Sequence, residues 1–77
     1  MIDFRGKMVM FSGFDDQKLR NRLESLGATF GGNINSTNIL ITREHIDMQN
    51  FFSGKVKIAM MNRICIVDRD FVKNKLN

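Results

Sequence analysis

One cysteine and one histidine are all that these 77 residues offer in nucleophilic or metal-ligating sulfur and imidazole. Cys65 has no partner for an intramolecular disulfide, and its setting in the apolar run Ile64-Cys65-Ile66-Val67 predicts a buried thiol. That usage fits a reducing compartment, cytosolic or nuclear. A Cys–His catalytic pair is disfavoured, because Cys65 falls within a predicted strand. A zinc site asks for about four Cys, His or carboxylate ligands, and the sequence shows no such cluster. There is no P-loop, and no dinucleotide fingerprint follows the first strand. Asp15-Asp16 has the chemistry to hold a divalent cation, but helix capping accounts for the pair. The amino-terminal residues carry Asp3 and Arg5 and lack a long apolar core, so neither a signal peptide nor a membrane span is expected. The expectation from these absences is a non-catalytic protein with no cofactor and no metal.

What is present describes one small folding unit. A chain this short buries only ~60% of its unfolded surface and supports a single core, so residues 1–77 are expected to form one domain. At 43% hydrophobic and 26% charged, the composition is that of an ordinary globular protein. Twelve Lys and Arg against eight Asp and Glu leave a net charge of +4, which permits contact with phosphate groups without demanding it. No basic block marks a nucleic-acid tail. Asp15, Asp16, Glu24, Asp68 and Asp70 lie among the bases, as on a mixed solvated surface.

The apolar run Met8-Val9-Met10-Phe11, preceded by Lys7, ends at Ser12-Gly13. Four apolar residues in a row leave neither face for water and predict a central strand covered on both sides. Before it, Phe4 is expected to tuck under the domain and Gly6 to turn the chain. A helix should follow, with Asp15 as N-cap, Phe14 and Leu19 as a hydrophobic staple, and Leu19, Leu23 and Leu26 facing the sheet. Lys18, Arg20, Asn21 and Glu24 fall on its other face, and Gly27 stops it. Thr29-Phe30 and Ile34 predict a short, glycine-interrupted second strand, and Asn35 to Asn38 a polar turn. Asn38 to Thr42 predicts another buried strand. Arg43 to Gly54 reads as a loop with at most a helical turn, where Phe51 and Phe52 are core lids or a ligand platform. Lys55 to Arg63 predicts a helix with Val56, Ala59 and Met60 inward. Ile64 to Val67 predicts the fourth strand, and Asp68 caps a last helix buried through Phe71, Val72 and Leu76. This order predicts an α/β fold: three helices on a four-stranded, largely parallel sheet.

Ser12 and Gly13 then lie at the carboxyl edge of the sheet, where open α/β folds place ligands. Lys55, opening the second helix, reaches the same edge beside a helix amino terminus. A hydroxyl, an unobstructed backbone N–H and an ammonium together suit one phosphate. Ser12 and Gly13 alone suit an ordinary strand-to-helix turn equally well.

Several segments resemble the BRCT domain, above all those of NAD-dependent DNA ligases and of the clamp-loader large subunit. Phe4 to Gly13 is similar to that family's opening strand, and Leu26-Gly27-Ala28 to the turn after its first helix. Thr37 to Ile41 resembles its Thr-x-hydrophobic run, Gly54 to Ala59 its Gly-Ser-Lys-hydrophobic-x-Lys-Ala segment, and Ile64 to Val72 its closing strand and helix. The resemblance covers nearly the whole chain. Phe71 stands where many members have Trp, and Ala28 replaces the second glycine of a Gly-Gly turn. The resemblance implies a sheet in the order 2-1-3-4, with two helices on one face and one on the other. It also implies a binding module of DNA repair, replication or checkpoint signalling, with Ser12, Gly13 and Lys55 as phosphate ligands. Its partners would be a phosphorylated protein, a DNA 5′ end, or replication and repair proteins docked without a phosphate. Lys18, Arg20, Arg22 and Lys57 are candidate contacts to DNA or a partner. Two other expectations stay open: a domain of, or a subunit working in trans with, a DNA ligase, holding nicked DNA, and a homodimerisation module.

Overall fold

The computed structural model of the chain describes residues 2–43 and 54–76. Within them the element order is β1 (Met8–Ser12), α1 (Gln17–Ser25), β2 (Thr29–Phe30), a 3-10 turn (Ile34–Ser36), β3 (Ile39–Thr42), α2 (Gly54–Met61), β4 (Cys65–Asp68) and α3 (Arg69–Leu76). The four strands form one parallel sheet in the order β2-β1-β3-β4. The fold is thus the α/β class expected, with the expected strand order.

The unbroken apolar runs behave as their composition dictates. Val9, Leu40 and Ile41 are fully buried and Ile39 nearly so, because the two central strands are covered on both faces. Alternation along the strands then divides the core. Val9, Phe11, Ile39 and Ile41 point toward α1 and α3, where they meet Leu19, Leu23 and Val72. Leu40 points the other way and meets Val56 and Ala59 of α2, with Met10 and Ile66 packed against them. The small Ala59 lets α2 approach the sheet closely. Phe4 is buried under the larger cluster, and the turn it leads into places Gly6 at a left-handed φ of 69°.

Polar residues set the joints. Thr37 is buried, and its hydroxyl donates to the Asn33 carbonyl at 3.0 Å, closing the 3-10 turn. Asn38 ties three strands together: its side-chain oxygen accepts from Met8 N, its own N–H donates to Met8 O, and its carbonyl accepts from Cys65 N. Asp68 caps α3 by accepting from Phe71 N at 3.1 Å, as expected.

Several expectations are corrected. The N-cap of α1 is Asp16 and not Asp15: Asp16 has extended dihedrals, and its Oδ1 accepts from Leu19 N at 3.0 Å. Asp15 is thereby free to pair with Arg20. Phe14 stacks on the Phe11 ring at 4.5 Å. Ile34 belongs to the 3-10 turn and not to a strand, since glycines 31 and 32 both sit at positive φ and end β2 after two residues. Leu26 is 43% exposed because it forms the C-cap of α1, past the last inward turn. Met60 and Met61 are exposed because α2 meets the sheet only through the narrow strip at Val56 and Ala59. Cys65 is exposed, not buried: β4 is the edge strand, and Cys65 is at its amino end, away from where α3 begins. Phe71 is 41% exposed, leaving Val72 as the buried anchor of α3. The expectations for His45, Phe51 and Phe52 concern residues outside the described ones.

Candidate functional site

The sheet ends on a polar rung. In register, Ser12 of β1 lies beside Thr42 of β3, which lies beside Asp68 of β4. Ser12 and Thr42 are both buried, so the apolar interior stops one residue short of the strand ends. Gly13 follows with a φ of 83°, a conformation that L side chains rarely adopt. Space is not the constraint: a Cβ there would come no closer than 4.0 Å to Arg43 Cβ. The left-handed backbone is therefore what demands glycine, and it leaves this turn exposed at the sheet edge.

Parallel crossovers bring the start of α2 back to this edge, and Lys55 shows the consequence. Its ammonium donates to the Phe11 carbonyl at 3.3 Å, immediately before Ser12. Lys55 thus reaches the carboxyl end of β1, at the residue before Ser12, while the cleft that it lines includes neither Ser12 nor Gly13. An ammonium at the end of a strand that closes on a hydroxyl residue and a left-handed glycine has the chemistry to attract an anion of phosphate size.

Arg20 also belongs here. It lines a cleft of about 290 Å³ together with Lys55, Phe11, Phe14 and Phe30. Its guanidinium lies 5.1 Å from the centre of the Phe30 ring and 5.7 Å from that of Phe11, and one of its nitrogens bonds Asp15 at 3.1 Å. Its Nε is buried with no hydrogen-bond partner. Stacking on two rings fixes the arginine in a plane while leaving donors uncommitted. Arg69 repeats the motif over Phe14 at 5.4 Å, again with a buried, unpartnered Nε.

The other candidates are elsewhere. Lys18 and Arg22 line a separate groove with Leu19 and Lys73, between α1 and α3. Lys57 is exposed on α2 and does not line the Lys55 cleft. The sequence reading missed Thr42, Phe30 and Asp15 as neighbours of the site. The signal for Thr42 was available, since β1 and β3 both end an apolar run with a hydroxyl residue. The stacking of Arg20 on Phe30 had none, because β2 is too short to announce its register.

No group of three or more histidine, cysteine or carboxylate side chains comes together among the described residues in a way that would hold a metal ion. No described helix is long and apolar enough to cross a membrane. No protein-family model matches the chain, and no curated protein is significantly similar to it.

Proposed function

We propose that this chain is a non-catalytic, BRCT-type binding module that recognises a phosphate group at the carboxyl edge of its sheet. The phosphate would be carried by a phosphorylated protein or a DNA 5′ end in replication or repair. The observation that carries the reading is the bond from Lys55 Nζ to the Phe11 carbonyl, which brings an ammonium across 44 residues of sequence to the residue before Ser12. The motif resemblance supplies the biological setting, and the strand order β2-β1-β3-β4 is the one that it implies. Arg20 adds a second cation to the same cleft as Lys55.

Titration with inorganic phosphate tests the site without knowledge of the natural ligand. Amide shifts should move first at Ser12, Gly13 and Lys55, and Lys55→Ala should abolish them. Because Lys55 is exposed, that variant should keep its thermal midpoint, so a lost site is distinguishable from a lost fold. A few charge-assisted hydrogen bonds at ~1.5–3 kcal/mol each, less ordering costs, predict a phosphopeptide Kd of about 10 μM or weaker. Binding to a 5′-phosphorylated duplex should weaken steeply with salt if several phosphates are contacted, and a single phosphoresidue should not show that slope. First shifts elsewhere, or unchanged binding by Lys55→Ala, would overturn the reading.

A further inference from the structure

A second surface shares no residue with the phosphate cleft. Two shallow grooves meet at Leu76: one of about 330 Å³ between α1 and α3, and one of about 420 Å³ between the amino-terminal residues Ile2 to Arg5 and the carboxyl ends of the two helices. Their floor is apolar: Leu19 is buried in it, Ile2 and Leu76 are half-buried, and Leu26 stands 43% exposed at one end. Their rim is basic. Five lysines and arginines line the two grooves against two aspartates, a net of +3 where the entire chain carries +4. Both aspartates are already engaged, Asp16 with Lys73 at 3.1 Å and Asp3 with Arg5 at 3.2 Å. Lys18 and Lys75 remain without a described carboxylate partner, and the Arg22 guanidinium is held in place by the Leu76 carbonyl.

We propose that this face docks an acidic amphipathic helix of a partner protein. Charge complementarity selects the acid, since most of the chain's excess positive charge sits on this rim and a basic or neutral segment would leave it uncompensated. The apolar floor selects an occupant with hydrophobic side chains on one face. A helix is selected over an extended segment because no described strand lines either groove, so an incoming chain must satisfy its own backbone groups. The sheet edges lie at β2 and β4, whose residues line neither groove.

The test uses a synthetic helical peptide with leucines at every third and fourth position and glutamates elsewhere, beside a counterpart with lysines in place of the glutamates. The acidic peptide should bind saturably and shift the amides of Lys18, Leu19, Leu26 and Lys75, leaving those of Ser12 and Gly13 in place. Leu26→Glu, and separately Lys18→Glu with Arg22→Glu, should each weaken it about tenfold or more, and raising the salt should weaken it further. All three positions are exposed, so the variants should fold, and thermal midpoints close to that of the unsubstituted chain report that they have. Equal binding of the lysine peptide, shifts mapped elsewhere, or indifference to both variants would overturn the proposal. So would a dimer in sedimentation that Leu26→Glu dissociates, because the occupant would then be a second copy of this chain.

Discussion

The two faces of the sheet are not equally built. Among the described residues, the face under α1 and α3 gathers nine buried residues into one cluster, whereas the face under α2 gathers three. Of the buried apolar residues described, most therefore pack on the α1–α3 face. The other face carries Lys55, the residue on which the proposed phosphate site turns. Such a division suits a binding module, since segments that adjust to a ligand are drawn from the less stable parts of a fold.

The widest test of that comparison is a pair of cavities. Leu23 and Leu40 are both fully buried, one on each face. Leu→Ala in a core costs ~2–5 kcal/mol, and the cost falls where the surroundings can collapse into the space. Leu23→Ala should fall near the top of that range, because it is enclosed by α1, α3 and the sheet. Leu40→Ala should fall near the bottom, because the flexible Met10 packs beside it and can fill the gap. Denaturant unfolding of both variants decides this. A Leu40→Ala cost equal to or above that of Leu23→Ala would break the comparison.

A smaller effect comes from filling space. Ala59 is fully buried where α2 touches the sheet. Ala59→Leu should push that helix outward at a cost of ~1–3 kcal/mol. Because α2 also carries Lys55, the variant should lose much of its phosphate-induced shift at Ser12 while remaining folded. An unchanged phosphate affinity in the presence of that destabilisation would show that the site does not depend on how α2 is seated.

The same contrast explains what the sequence could announce. Val9 and Ile39 to Ile41 were legible because a central parallel strand needs apolar residues on both faces. Cys65 misled because Ile64 to Val67 has the same apolar composition as a central strand, whereas β4 is an edge, and Phe71 misled because the neighbouring Val72 is the residue of α3 that turns inward. Asp15 and Asp16 are equally good caps chemically, and the choice between them rests on backbone dihedrals that composition does not encode. That Ser12, Gly13 and the start of α2 share one edge of the sheet was legible because parallel topology brings strand ends and the following helix starts together. Arg20 was recognisable as a candidate cation, but its stacking on Phe30 depends on a two-residue strand whose pairing no pattern specifies.

The finest prediction isolates an electrostatic stitch on the α1–α3 face. Asp16 accepts from Leu19 N at the start of α1 and pairs with Lys73 of α3 at 3.1 Å, so one carboxylate joins two helices. The Leu19 N–H first, and then Lys73, hold its pKa below the ordinary 3.8. No described ion pair does the same for α2. Asn caps a helix about as well as Asp, so Asp16→Asn keeps the cap and removes only the charge. With Lys73 about half exposed and screened by solvent, the loss at neutral pH should be about 1 kcal/mol or less. Its pH dependence has a definite sign. The folded state binds the Asp16 proton less readily than the unfolded chain does, so the stabilisation is fully present above the ordinary carboxylate range. It disappears as pH falls through the lower, folded-state value. The gap between the wild-type protein and Asp16→Asn should therefore be flat from neutral pH to about pH 5 and close below that, and about 1 M salt should shrink it at any pH. A gap that persists in strong acid would mean that the amide disturbs the cap itself, and no gap at neutral pH would mean that Lys73 contributes nothing to holding α3 against α1.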